Sequence, residues 1–470
     1  MSFINDVRAV LKVVYKDKPV ETLLGRLDPV YKNIAKPVYR GKLLNFLNIY
    51  GRSPAVSSNK VMASSIAAQQ GTKNAEWSVP LDRAQIFGCT VVTQKQILAS
   101  KDKVGAYQTI GQNLMYGSMS GLRRQAAALF YSRGFGEFAV APTGGTLTVG
   151  PNNTIILPRS AIAGIDVGTR FQFANATTGL PAANASINIV TNIVQGIPGQ
   201  PAGSATVTFS ATAADAYTAG MFLVYLGNHN GTQAVIGELI APNGLETLFP
   251  SDPVRRNTTL YGVDRSLYPA RLSGAFIDDS ALPAATNLKI STINKLVNEI
   301  RQAGGDAEDY QVVLSANDYM AIYAEIQSRE RFLQTPGDKE RSRIIKSGIS
   351  DMEFSQASTW IGKVVDTPFL QDGKFYVLTP NTIQFVTYSN LGPLDNNYNN
   401  GDNAPGVGEN PLAEADKSEE PTRVNIDDFF SLQPATHSPD GNAVEVTAAI
   451  FGELICTNSA VNGVGLFPAA

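Results

Sequence analysis

Charge is scarce in this sequence. Asp, Glu, Lys and Arg make up 17% of its 470 residues, against roughly 25% in ordinary soluble globular proteins. Together with 41 glycines and 26 prolines, this points to many turns and to surface meant to be covered, as in large assemblies or secreted β-rich proteins. A net charge of −3 speaks against the chain as a whole being a nucleic-acid binder, which needs a basic face. Histidine and cysteine are nearly missing. His229 and His437 stand beside no nucleophile motif, and no His-x-x-x-His or Cys-x-x-Cys spacing offers a zinc site. Cys89 and Cys456 lie too far apart in sequence to suggest a disulfide framework. They read as small buried hydrophobes in a reducing compartment. There is no phosphate-binding glycine loop, and the serines of Gly117-Ser-Met-Ser-Gly121 fall at the wrong offsets for a nucleophile elbow. No apolar run approaches the roughly 18 residues of a membrane span. Asp6, Arg8 and Lys12 stand where a secretory signal would have its apolar core. The expectation is a chain folded in a cytoplasm, with no catalytic residues, cofactor, metal or membrane partner.

What is present is organised in blocks. Residues 1–45 carry nine Lys/Arg against four acidic residues, and prolines at 19, 29 and 37 break them into short pieces. Such a segment is either a basic tail or an extended arm ordered against a neighbour. Its apolar residues, Leu23 among them, are many for a free tail and favour the arm. Residues 53–80 are rich in Ser, Ala, Asn and Gln, with Trp77 as the large anchor, and read as a long loop or open hairpin leading to a strand near Phe87–Val92. Ile110, Leu114, Ser118, Leu122, Ala126 and Leu129 recur at helical spacing and predict a helix over Val104–Arg133. Gly111, Gly117 and Gly121 weaken that helix, so close packing or a bend is expected at them.

Between Phe138 and Tyr225 there are four charged residues, and Thr-, Val- and Ile-rich runs alternate with Gly, Pro and Asn punctuation. This predicts an all-β stretch. A mixed region follows, with a helix over Leu288–Ala303 ending at Gly304-Gly305. Next come a buried strand Val312–Leu314, a helix from Asp318, strands at Gly362–Val365, Phe375–Leu378 and Ile383–Tyr388, and a closing strand Ala443–Cys456. Residues 391–428 hold nine acidic residues against two basic ones, without the spacing of a calcium loop. The basic arm and this acidic excursion either pair between neighbouring copies or are two unrelated solvated surfaces.

The stretch Tyr261-Gly-Val-Asp-Arg-Ser-Leu-Tyr-Pro269, followed by Leu288–Ala303 and by Tyr310-Gln-Val-Val-Leu-Ser-Ala-Asn-Asp-Tyr319, resembles the late core of tailed-phage major capsid proteins with the Hong Kong 97-like fold. The resemblance covers nearly the whole chain through the order of its parts. It implies an α+β fold with an N-terminal arm (1–48), an extended loop (49–86), a peripheral domain with a spine helix (87–137) and an all-β insertion domain (138–232). The remaining peripheral and axial core would occupy 233–470. Related chains often place a tryptophan after the proline of that turn, where this one has Ala270-Arg271.

The function implied is a non-enzymatic shell protein forming hexamers and pentamers in a virion capsid, assembled in a host bacterial cytoplasm. Scaffolding, portal and decoration partners are implied, with weak non-specific contact to packaged DNA. An encapsulin-like compartment shell, a decoration or fibre protein, and a β-rich carbohydrate-active enzyme are the alternatives; the β-insertion and the length argue against the first. Expected subunit-contact residues are Leu23, Trp77, Asp264, Arg265, Glu414, Asp416, Glu419 and Glu420. If the opposed charges pair between copies, neutralising Glu414, Asp416, Glu419 and Glu420 changes assembly and its salt dependence; unchanged assembly by light scattering across salt rules the pairing out.

Overall fold

The structure, a computed structural model, describes residues 28, 30, 34, 35, 37–39, 43–51, 57–69, 73–81, 84–93, 120–175, 186–195, 204–226, 241–283, 288–305, 310–327, 353–356, 359–388, 431–432, 436–437 and 443–468. Leu23, the acidic excursion 391–428 with Glu414, Asp416, Glu419 and Glu420, His229, and residues 104–119 of the expected helix lie outside them.

A strand of fourteen residues, Ala443–Cys456, organises the first sheet. Along one edge it pairs antiparallel with Gln85–Thr93, from Ala443↔Thr93 to Phe451↔Gln85. The opposite edge takes Ser431–Leu432 and Thr436–His437. Its last residues pair with Ile383–Tyr388, which in turn holds Val38–Tyr39 as a parallel neighbour. Cys456 is buried here, and burial pushes its thiol up to about 11, which suits a small inert hydrophobe.

A second six-stranded sheet runs Ala275–Asp278, Gly463–Leu466, Lys374–Leu378, Gln311–Ser315, Thr359–Thr367, Glu353–Gln356. Its central strands are covered on both faces. Phe375 and Val377 meet Ile293, Leu296, Val297 and Ile300 of the helix Lys289–Gln302. Tyr376 and Leu378 point the other way, into the main core. The helix ends because Gly304 takes φ +91°. The amides of Gly304 and Gly305 then reach the carbonyls of Arg301 and Ile300, a Schellman closure. The next helix, Ala316–Gln327, is started by Ser315, whose hydroxyl accepts from the Asp318 amide at 3.1 Å.

Residues 137–225 supply a five-stranded antiparallel sheet, in the order Ala205–Ala211, Asn188–Gln195, Arg170–Ala174, Phe222–Tyr225, Glu137–Val140. Strict alternation along Ala205–Ala211 buries Ala205, Val207, Phe209 and Ala211. The stretch also contains a five-residue helix, Arg159–Ala163, so it is not built from strands alone. Its interior joins the main core: Phe171, Phe209 and Leu223 share one cluster with Leu122 and Leu129 of the preceding helix and with Phe385 and Leu454.

That preceding helix is described over 120–130, with Leu122, Ala126 and Leu129 buried as its spacing requires. Gly121 faces open space, which corrects the expectation of close packing at that glycine. Close approach comes just after the helix. A Cβ on Gly134, itself at φ +85°, would stand 2.2 Å from Asn243 Oδ1, and one on Gly244 would stand 2.5 Å from the carbonyl oxygens of Leu129 and Ser132. Gly244 lets the two backbones meet, and Gly134 leaves room for the Asn243 side chain.

The N-terminal segment needs a correction of its own. Val30 and Ile34 are buried in the main core, so these two residues pack against their own chain. Asp28 is the fastener. Its buried carboxylate accepts from the Val30 amide (2.9 Å), from the Tyr131 hydroxyl (3.1 Å) and from the Thr367 hydroxyl. One side chain thus joins the N-terminal segment, the end of the 120–130 helix and the second sheet. Asp28→Ala strands buried donors at about 1–3 kcal/mol each. Denaturant unfolding is expected to show a loss of about 3 kcal/mol, and a loss under about 0.5 kcal/mol removes Asp28 from this role.

Candidate assembly surface at the hairpin

Leu43–Gly51 and Lys73–Pro80 form an antiparallel hairpin in register from Leu43↔Pro80 to Ile49↔Asn74. Between them lies a helix, Lys60–Gln69, where the sequence reads only as loop; Asn59 caps it by accepting from the Val61 amide at 2.9 Å. The helix has no apolar stripe to announce it, and Val61 and Met62 are exposed. Alternation along Leu43–Gly51 gives the hairpin two faces. Leu44, Phe46 and Tyr50 turn inward. Leu43, Leu47 and Ile49 turn outward, Leu47 at 69% and Ile49 at 66% exposure. A strand face that meets only water would carry polar residues there. Three large aliphatic side chains on it mark a surface suited to burial against something else.

The inward face is anchored by Trp77. It is 3% exposed, stacked on Phe46 at 6.0 Å and set edge-on to Tyr261 at 6.3 Å, with Val263 and Leu272 in the same cluster. Expected as a subunit contact, Trp77 is instead a core residue of its own chain.

The Gly-Val-Asp-Arg turn is what it packs on. Thr259–Leu260 and Val263–Asp264 pair as a miniature hairpin across Tyr261 (φ +48°) and Gly262 (φ +84°). Both central residues of a type I′ turn need positive φ, which glycine meets freely and tyrosine does not. Tyr261 is held there by its surroundings. Its carbonyl accepts the Ser78 amide of the hairpin at 2.9 Å. Its hydroxyl lies 2.8 Å from Glu453 Oε1 and 3.0 Å from the Leu454 carbonyl, and accepts from Asn243 Nδ2 at 3.0 Å. Glu453 also accepts the Asn243 amide at 2.8 Å. Burial without a cation partner pushes the Glu453 carboxyl up to about 7, and burial beside that carboxyl raises the Tyr261 hydroxyl.

Arg265 is 2% exposed, which corrects its expected place in a subunit contact. Its guanidinium donates to the carbonyls of Thr258, Thr247 and Arg255, each at 2.9 Å, and to the Thr258 hydroxyl at 3.0 Å. Burial, with Arg255 and Arg256 nearby, lowers it to about 10. Its side chain stitches the turn to the 245–258 segment. Asp264 beside it is exposed and accepts from the Ser266 amide at 2.9 Å; the Ser266 hydroxyl first and then this amide lower its carboxyl, so it is a turn former that also faces outward, next to exposed Leu267 and Tyr268.

Arg271 stands two residues after the proline of the turn, Pro269. Its guanidinium sits 4.6 Å from the Tyr268 ring centre and donates to the Ala303 and Tyr50 carbonyls at 2.8 Å each. It thereby ties the hairpin to the end of the Lys289–Gln302 helix.

A second buried carboxylate, Glu246, holds the 245–251 segment to the second sheet through Lys374 Nζ (3.0 Å) and the Tyr376 hydroxyl (2.8 Å), and accepts from the Ser251 hydroxyl of its own segment (2.6 Å). Burial alone would raise it, but Lys374, Ser251 and Arg133 reverse the effect and hold it at about 2. Sequence reading missed both Glu246 and Glu453, because nothing local distinguishes a buried glutamate from a solvated one. Among the described residues, no group of three or more His, Cys, Asp or Glu could hold a metal ion, and no helix is long and apolar enough to cross a membrane.

No family model matches the sequence, and no curated protein matches it. Among solved structures, the chain is similar to the capsid asymmetric unit of cyanophage A-1(L), with a TM-score of 0.50 at 10% identity over 98% of this chain and 97% of that one. Weaker likenesses are the capsid of an empty GTA particle (TM-score 0.40, 10% identity, 97% and 96% covered) and an encapsulin complex of Synechococcus elongatus (TM-score 0.39, 8% identity, 98% and 94% covered). At such identity the first likeness establishes a shared fold, a mixed α and β architecture matched from end to end with a capsid subunit.

Arg265→Lys keeps the charge but loses the planar fork. Leaving several buried carbonyls without donors is expected to cost about 2–3 kcal/mol in denaturant unfolding; a neutral result would show that the turn closes without it.

Proposed function

We propose that this chain is the major capsid protein of a tailed bacteriophage, with the Hong Kong 97-like fold, building the icosahedral shell that encloses the viral genome. The observation that carries the proposal is the end-to-end fold likeness to the cyanophage capsid subunit. Residues 1–48 serve as the arm, 49–86 as the extended loop, 87–137 as the peripheral domain with its spine helix, 138–232 as an inserted domain rich in strands, and 233–470 as the rest of the peripheral and axial core.

The hairpin gives the proposal a physical mechanism. A shell of one repeated chain, in hexamers and pentamers, must reuse the same patches at slightly different angles. A rigid core anchors the hairpin through Trp77, Tyr261 and Arg271, while Leu43, Leu47 and Ile49 offer an apolar strip that a neighbouring copy covers. Asp264 and the nearby Leu267 and Tyr268 form a second outward patch, and Leu23 and the acidic residues Glu414, Asp416, Glu419 and Glu420 remain subunit-contact candidates. The protein acts through these surfaces and not through catalysis, in a virion capsid assembled in the host cytoplasm, with scaffolding, portal and decoration proteins as partners and weak contact with packaged DNA.

Negative-stain electron microscopy of the purified protein, with light scattering, tests the proposal. Closed shells, capsomers or tubes are expected; a monomer that persists across salt and concentration overturns it. Particles isolated with protein cargo and no genome would favour an encapsulin-like compartment. Leu47→Asp places a charge on the exposed strip. Folding stability should change by no more than about 0.5 kcal/mol while assembly is lost, and intact shells from this variant exclude the strip as a contact.

A further inference from the structure

The hairpin meets the core at a point where a buried carboxyl and a strained tyrosine share hydrogen bonds. Tyr261 carries positive φ in a turn position that glycine would take without cost. Its carbonyl holds the hairpin amide of Ser78, its ring holds Trp77, and its hydroxyl holds Glu453. Glu453 sits on the organising strand at 4% exposure, opposite Val386. Every device fixing Tyr261 through its hydroxyl therefore converges on Glu453, Leu454 and Asn243.

The charged groups of the surrounding elements are otherwise engaged. On the 241–251 segment, Glu246 pairs with Lys374. On the turn, Arg265 is spent on carbonyls and Asp264 faces solvent. On the hairpin strand, Glu76 lies on the exposed face. On the 120–130 helix, Arg124 pairs with Asp166, and Arg123 has a partner of its own. The strand Ile383–Tyr388 contains no Asp, Glu, Lys or Arg. Tyr261 is the titratable group in hydrogen-bond contact with Glu453.

We propose that Asn243, Tyr261 and Glu453 form a proton-controlled latch for the hairpin. With Glu453 neutral, Tyr261 stays pinned and the strand Lys73–Pro80 is held to the core through Ser78 and Trp77. With Glu453 ionised, the carboxylate draws water into the site, the tyrosine hydroxyl is released, and the backbone strain at Tyr261 favours opening. The sign follows from linkage. The folded carboxyl lies near 7 against an ordinary value of 4.5. Its contribution to the closed state is therefore fully present below about pH 4.5 and is lost as pH rises through about 7.

The proposal concerns the motion of the hairpin within one chain, so it is tested apart from shell formation, on the full-length protein as purified. Hydrogen exchange of the Ser78 amide is followed from about pH 4 to about pH 9 in wild type and in Glu453→Gln, which keeps the acceptor oxygen and cannot ionise. The ratio of the two rates cancels the chemical pH dependence of exchange. It should be near one below about pH 4.5, climb by up to about tenfold per pH unit between about 4.5 and 7, and level off above 7. Trp77 emission, recorded in a Trp360→Phe background, should shift over the same pH range in wild type and stay flat in Glu453→Gln. Tyr261→Phe should exchange fast at every pH, because the pin is gone. A flat rate ratio, or a Trp77 transition that survives Glu453→Gln, overturns the proposal, whether or not the protein forms shells.

Discussion

A fourteen-residue strand brings a long row of amides and carbonyls, and those of its buried end cannot be left without partners. Ala443–Cys456 meets that demand with segments drawn from across the chain: Gln85–Thr93 on one edge, short strands at 431–437 on the other, and Ile383–Tyr388 at its end. Everything else is arranged around this pairing. It brings residues near 85 and near 450 side by side, sets the base of the hairpin, and carries Glu453 to the turn at Tyr261. The main core then grows from its buried side chains, Ile450, Leu454 and Cys456, outward to the 120–130 helix and the five-stranded sheet.

Much of this layout was legible in the sequence. The helix expected at Leu288–Ala303 is Lys289–Gln302, and the strands Ile383–Tyr388 and Ala443–Cys456 occupy the expected residues. In each case a hydrophobic repeat matches the period of the element, and a strong stop such as Gly304-Gly305 bounds it. The helix Lys60–Gln69 was not legible, because its Ala, Ser and Gln residues carry no repeat and it packs little of its surface. Nor was the site. Asp28 gains its meaning from Thr367, 339 residues away, and Arg265 from carbonyls that only the folded turn brings within reach. Trp77 stands out as an anchor in the sequence, but nothing local shows that its partners, Phe46 and Tyr261, lie within the chain and not in another copy.

Polar groups in this protein are used mainly as fasteners between elements. Asp28, Glu246, Arg271 and Glu453 each join segments far apart in sequence, Arg265 fastens its turn to the neighbouring 245–258 segment, and most of them lie inside apolar surroundings where an unmet donor or acceptor is costly. This makes the low overall charge intelligible. Few charges are present, and several of them are spent internally on fixing how one element sits against the next. The apolar strip on the hairpin is the opposite case, since Leu43, Leu47 and Ile49 have no partner among the described residues of their own chain.

The two faces of Leu43–Gly51 also constrain how this segment can drift over evolutionary time. Because side chains alternate strictly along a strand, losing or gaining one residue there would exchange the faces. The aliphatic strip would be driven toward Trp77, and the aromatic residues would be thrust into solvent. Individual side chains in this strand are therefore free to be swapped for others of similar character, while its length is locked. The exposed stretch around Lys60–Gln69 carries no such lock and is the natural place for lineages to lengthen, shorten or rewrite the tip.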